Sequence, residues 1–202
     1  NLKNKTVRKL SHANNNPQSL PGNSIYSIYK DHLQNIWVGT NRGLGLFNPK
    51  TEEFTVFRHE SDNPHSLIAD HIYDIKEIND GTLWIASDIG GISILDLHSI
   101  TFKSPEKVQF YNITADNSKH GVTSGNIRTL LQDSFGNIWL CDNGLFKYDK
   151  TTRNCTACLP PADEPITYIH FITEIQPGIL LIGSNSGLTQ YNLAENTFST
   201  IG

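Results

Sequence analysis

One ten-residue phrase recurs four times in this chain and limits its fold more than any other feature. Its clearest form is Asn35-Ile36-Trp37-Val38-Gly39-Thr40-Asn41-Arg42-Gly43-Leu44. A short apolar run ends in a small residue, a polar turn follows, and a glycine opens the next run. The second copy is Thr82-Leu83-Trp84-Ile85-Ala86-Ser87-Asp88-Ile89-Gly90-Gly91. The third, Asn137-Ile138-Trp139-Leu140-Cys141-Asp142-Asn143-Gly144-Leu145, is one residue shorter, and the fourth puts Leu181 in place of the Trp. Trp37, Trp84, Trp139 and Leu181 lie 47, 55 and 42 residues apart. A period of roughly 40–50 residues, with turn signals between short strands, marks a radial or solenoid β array.

Each repeat divides into four short strands. The first gives Ile25–Lys30, Ile36–Thr40, Leu44–Asn48 and Phe54–Arg58; the second gives Ile72–Glu77, Leu83–Ser87, Ile92–Leu97 and Val108–Asn112. The third gives Ile127–Asp133, Ile138–Cys141, Leu145–Asp149 and Arg153–Ala157; the fourth gives Tyr168–Glu174, Ile179–Ser184, Leu188–Asn192 and Thr197–Ile201. Insertions around Ser99–Lys107 and Thr114–Gly121 account for the long second repeat. No helical periodicity intervenes, so the chain is all-β. A four-stranded sheet has two apolar faces that it cannot bury alone, and radial stacking of such sheets as propeller blades covers them. The recurrent Trp then lies between blades. The glycine that opens each third strand marks a positive φ or a close backbone approach.

The expected organisation is a partial β-propeller of about four blades in one array, 1–202. It begins with the last strand of a preceding blade plus a linker (1–18), Thr6-Val7-Arg8-Lys9-Leu10 being the strand-like piece. Blades follow at 19–62, 63–117, 118–160 and 161–202. The connector Asn16-Pro17-Gln18-Ser19-Leu20 returns as Asn63-Pro64-His65-Ser66-Leu67. With no Met in the sequence, the chain reads as a piece of a longer polypeptide.

Composition narrows the function. The 16 Lys and Arg residues are scattered and the net charge is −4, so nucleic acid is not an expected partner. No run approaches 18 apolar residues, the length a membrane helix needs. Cys155 and Cys158 form a C-x-x-C pair without the second pair a zinc ribbon requires, which leaves ordinary strand cysteines or a labile local disulfide. Cys141 occupies the small position held elsewhere by Gly39, Ala86 and Gly183.

The fuller pattern I-x-x-I-x-x-D-x-x-x-N-I-W-V-G-T-x-x-G-L-x-x-[FY]-[ND]-P-K-T-x-x-F rests on Ile25, Ile28, Asp31, Asn35–Thr40, Gly43, Leu44, Phe47–Thr51 and Phe54. In the third repeat it rests on Ile127, Asp133, Gly136–Leu140, Gly144, Leu145 and Tyr148–Thr151. This resembles the propeller repeats in the periplasmic sensor region of hybrid two-component systems of the Bacteroidetes type. The resemblance implies a sensor histidine kinase as the parent, with a carbohydrate or oligosaccharide as input and transcription as output. It also implies further blades and sensor domains in the parent chain, and a receptor homodimer.

Propeller ligands meet loops at one end of the channel. Connections into each first strand contribute Asn23, Asp70, His71, Asn126 and Tyr168; the turns opening each third strand contribute Arg42, Asp88, Asn143 and Asn185. Amides and carboxylates suit sugar hydroxyl pairs, and Tyr26, Tyr73 or Tyr168 suits a sugar face. The same Asn and Asp positions also serve turns by bonding nearby backbone. No catalytic constellation, metal set or cofactor motif emerges. His59-Glu60 lacks the following His of a metalloprotease helix, and Gly43-Leu44-Gly45 lacks a third glycine. A propeller enzyme acting on glycans (a lyase or hydrolase) and a protein-interaction platform are the alternative readings.

Overall fold

The computed structural model describes residues 7–88, 91–99, 107–114, 126–158, 160 and 166–201. Blade 1 comprises β1 (Ile25–Lys30), β2 (Ile36–Thr40), β3 (Gly43–Asn48) and β4 (Glu53–Phe57); blade 2 comprises β5 (Ile72–Ile78), β6 (Thr82–Ser87), β7 (Gly91–Asp96) and β8 (Tyr111–Thr114). Blade 3 comprises β9 (Thr129–Gln132), β10 (Ile138–Cys141), β11 (Leu145–Asp149) and β12 (Asn154–Cys158); blade 4 comprises β13 (Ile169–Gln176), β14 (Ile179–Ser184), β15 (Gly187–Asn192) and β16 (Thr197–Ile201). Each blade is an antiparallel meander with strands in chain order, and the inner strands β1, β5, β9 and β13 touch in succession. The fold is an all-β partial propeller. A 3-10 turn spans Leu97–Ser99, and among the described residues no helix is long and apolar enough to cross a membrane.

The repeated Trp holds the blades together. Trp37 is buried against Ile72, Ile75 and Leu83 of blade 2; Trp84 lies with Ile127, Leu130 and Ile138 of blade 3; Trp139 lies with Ile169, Ile172 and Leu180 of blade 4. Each indole removes roughly 150–250 Å² from water. Its N–H must then find an acceptor. In blade 1 Trp37 Nε1 donates to Asp31 Oδ2 at 2.8 Å, and Asn35 donates to the same carboxylate through its backbone and its side chain. Asp133, Asn137 and Trp139 repeat this in blade 3. That bond is why the D-x-x-x-N-x-W spacing exists. In blade 2 Trp84 donates instead to Thr82 Oγ1.

A second joint lies at the turns between first and second strands. Glu77, Gln132 and Glu174, at the same place on β5, β9 and β13, accept the backbone N–H of His32, Asn79 and Ser134 of the preceding blade. Lys30 holds that place in blade 1. The third-strand glycines behave as expected in three blades. Gly43, Gly91 and Gly187 have positive φ, and a Cβ on Gly91 would lie 1.9 Å from the Ile113 carbonyl oxygen. Blade 3, with its shorter turn, is the exception, since Gly144 is not in the left-handed region.

Ile28 is 67% exposed, whereas Ile75 and Leu130 at the same position in blades 2 and 3 are fully buried. Phe171 is 76% exposed on blade 4. A blade buries these apolar positions only where it has a neighbour.

Three local expectations shift. Residues 7–10 carry no regular structure, because no ladder partner pairs with them; Leu10 instead packs against Leu20, Val38 and Phe54. The last strand of blade 2 starts at Tyr111 rather than Val108, its ladder with β7 beginning at the Ile94–Tyr111 pair. Cys155 and Cys158, three apart on β12, point to opposite faces and join different clusters, so they cannot bridge within the strand. Burial pushes the Cys155 thiol up to about 11 and also raises Cys158. Residues 100–106 and 115–125, which include most of the expected insertions, lie outside the described residues.

Candidate functional site

One register position at the start of each inner strand decides what the channel presents. The residues there are Tyr26, Tyr73, Arg128 and His170. In β1 the pairing with β2 slips between Ile25 and Ser27, leaving Tyr26 as the extra residue. The same slip leaves Tyr73 unpaired in β5 and His170 in β13. Arg128 directly precedes β9, its N–H donated to Cys141 O at 2.8 Å. A bulge frees one residue from the ladder and re-aims its side chain. All four line a cavity of about 340 Å³, a size within the usual range of small-molecule sites, about 300–1,000 Å³.

Around this ring the polar groups interlock. His71 lies between Tyr26 and Tyr73, at ring-centroid distances of 4.7 and 4.6 Å, and its Nδ1 faces Asp88 Oδ2 at 3.2 Å. Its other nitrogen, Nε2, is buried without a hydrogen-bond partner among the described residues. Burial pushes the Asp88 carboxyl above its ordinary range, with His71 offsetting part of that rise. Burial also raises the Tyr73 phenol, opposed by the nearby Arg128 charge. The Arg128 guanidinium sits 5.3 Å from the Tyr73 ring centre and 5.9 Å from that of Tyr168. Tyr168 adopts φ 52°, a left-handed conformation costly for an aromatic residue. His170 Nε2 and Asn185 Oδ1 are 2.7 Å apart.

Asp74 also lines the cavity, but its carboxylate is committed to the fold. It accepts from Thr129 Oγ1 and Leu130 N of blade 3, from Lys76 Nζ and, at 3.4 Å, from Ser27 Oγ of blade 1.

The nine residues expected from the loops separate into groups. His71, Tyr168 and Asn185 do not line the cavity but contact residues that do, and Asp88 reaches it through His71. Asn23 and Asp70 are repeat equivalents that accept the backbone N–H of His12 and His59, at 2.8 and 2.7 Å, and so tie down the two connectors. The turn-forming role accounts for both. Arg42 and Asn143 are exposed on their turns and Asn126 is half-buried; none of these three lines the cavity. Sequence reasoning passed over Arg128 and His170. The available signal was register, because both follow the first Ile of their repeat's inner strand pattern (Ile127 and Ile169) as Tyr26 and Tyr73 follow Ile25 and Ile72.

A larger cavity of about 510 Å³ lies at the opposite turns, lined by Tyr29, His32, Glu77 and His98 among others. Its Glu77 and His32 are bonded to each other as part of the blade joint. The smaller channel cavity draws unlike groups from all four inner strands, and it is the stronger candidate. Among the described residues no group of three His, Cys, Asp or Glu side chains is arranged to hold a metal.

Antiparallel four-stranded blades around a channel, with an aromatic and cationic ring at one end, define a partial β-propeller. Two stretches of the chain, residues 19–42 and 121–144, match the two component regulator propeller family. The structure is similar to the extracellular domain of the hybrid two component system BT3049 from B. thetaiotaomicron, with 22% identity, a TM-score of 0.77, and coverage of 94% of this chain and 25% of that one. It is also similar to the extracellular domain of the hybrid two component system BT4673 from the same organism, with 23% identity, a TM-score of 0.74, and coverage of 95% and 26%. YCF48 from Cyanidioschyzon merolae has the same fold at 15% identity, with a TM-score of 0.62 and coverage of 89% and 53%. The chain thus spans about a quarter of the length of the Bacteroides domains. No curated protein matches the chain.

Proposed function

We propose that this chain is part of the extracytoplasmic sensor propeller of a hybrid two-component system and binds a carbohydrate at the channel end described above. The observation that carries the reading is the convergence of Tyr26, Tyr73, Arg128 and His170 from one register position in four blades. Aromatic faces suit the apolar face of a sugar ring, while Arg128, His170 and Asn185 suit its oxygens. The repeat match and the extracellular domains sharing the fold support a periplasmic location in a membrane-anchored receptor. Exposed Ile28 and Phe171 suit coverage by further blades of the parent chain. In a receptor dimer the ligand would favour one arrangement of propellers and bias a kinase across the membrane. It does so only by its differential affinity for the two arrangements.

The test is thermal melting of this chain, and of its parent ectodomain, against a panel of oligosaccharides. At a ligand concentration about a hundred times Kd, linkage stabilises the folded state by about 2.7 kcal/mol. A domain of this size then melts several degrees higher, at about 2–4 °C per kcal/mol. A shift confined to one glycan class, and lost in Tyr73→Ala, is the expected result. The absence of any shift in either protein would overturn the carbohydrate reading.

A further inference from the structure

Resting on the reading of the channel end as a sugar site, we infer that its ligand carries an anionic group, a carboxylate or a sulfate, held by Arg128. The guanidinium carbon sits 5.3 Å from the ring centre of Tyr73 and 5.9 Å from that of Tyr168, so its close contacts are with ring surfaces. Its edge carries five N–H donors in a rigid fork. Among the described residues none of those side-chain donors has a hydrogen-bond acceptor, and no carboxylate pairs with the charge.

The carboxylates nearest this ring are already engaged. Asp74 accepts from Lys76, Thr129 and the Leu130 backbone, and Asp88 faces His71. The situation differs at the far rim of blade 3, where Arg153 is likewise set over a tyrosine, Tyr111, but bonds its hydroxyl at 2.8 Å. Arg128 has the stacking without the bond.

A half-buried cation that keeps its charge at every accessible pH is held at a desolvation cost until an anion joins it. Oxyanions match the fork with two parallel hydrogen bonds. Tyr26 and Tyr168, each 48% exposed, leave ring surface open to a pyranose face. A sugar with an acidic substituent meets both needs together, and a neutral sugar meets only one.

Isothermal titration of this chain tests it with three matched probes: a glucuronate-containing disaccharide, its carboxyl-reduced neutral counterpart and an O-sulfated counterpart. The expected result is tighter binding of one acidic probe than of the neutral one, by about tenfold or more. That advantage disappears in Arg128→Gln, shrinks with added salt, and persists in Arg153→Gln. Which acidic probe wins distinguishes carboxylate from sulfate. Equal affinity for neutral and acidic probes, unchanged in Arg128→Gln, would overturn the anion assignment and leave the sugar site standing. Acetate or inorganic sulfate binding as tightly as the acidic disaccharides would overturn the sugar part while keeping the anion site. Binding of no probe, with circular dichroism showing a folded chain, would overturn both.

Discussion

The two ends of the channel use equivalent residues in opposite ways. At the end formed by the first turns, Glu77, Gln132 and Glu174 occupy one register position and do one job, accepting a backbone N–H from the blade before. At the other end, Tyr26, Tyr73, Arg128 and His170 also share one register position, yet no two neighbours beyond the first pair are alike. The first set is alike because every joint is the same joint. The second set differs because a bulge takes Tyr26, Tyr73 and His170 out of the ladder and Arg128 stands just before its strand, so strand pairing does not constrain their side chains. In a repeated architecture, stability resides in what recurs and recognition in what departs from the pattern.

Three measurements bear on that contrast. The largest effect belongs to the recurrent Trp. Trp139→Ala removes a buried indole and leaves Asp133 short of a donor, for a loss of about 3–5 kcal/mol in urea unfolding. Leu181→Ala at the same position of blade 4, where the side chain is half-buried, loses less than half as much. Equal losses would mean that the blade interface is not what the Trp stabilises.

A smaller effect separates the two ends directly. Glu174→Ala frees the Ser134 and Gly178 N–H groups and costs about 1 kcal/mol. Tyr26→Ala, at the channel end, stays within about 0.5 kcal/mol. If Tyr26 proved the costlier substitution, the channel ring would be part of the framework.

The smallest effect is on pH dependence, and the two ends differ in sign. Near the first turns, burial would raise the Asp80 carboxyl, but bonds from Lys150 and Thr82 outweigh it and hold the group below its ordinary value. Its contribution is present above the ordinary Asp range and is lost as pH falls through the lowered value. Asp88, in the channel cluster, is raised, so its contribution is present at acid pH and is lost as pH rises through the ordinary Asp range toward the raised value. Melting temperatures between about pH 3 and pH 6 should therefore show Asp80→Asn flattening a rising limb and Asp88→Asn flattening a falling one. Both slopes changing in the same direction would contradict these assignments.

Most of the framework was legible because its signals are local. The Trp spacing, the turn glycines and the N-P-x-S-L connector each act within a few residues, and the strands they mark fall where expected apart from β8. That strand differs because its ladder with β7 begins only at the Ile94–Tyr111 pair, a register set across a long insertion that no local pattern carries. The site was half legible for the same reason. His71, Asp88, Tyr168 and Asn185 could be assigned to the channel end because loops at one end of a propeller can be counted from the repeat. Arg128 and His170 were passed over because they sit inside a strand pattern, where alternation assigns a face and a bulge then overrides it. Asn23 and Asp70 have the same residue character as binding groups, and only the positions of His12 and His59 reveal their structural use.

The bulge has a further consequence for how such a protein changes over time. A residue outside the ladder can be exchanged without disturbing the hydrogen bonds on either side, so the codons for Tyr26, Tyr73 and His170 can be rewritten while the strand pairing around them stays intact. A laboratory library restricted to those positions would vary the channel rim on an unchanged frame.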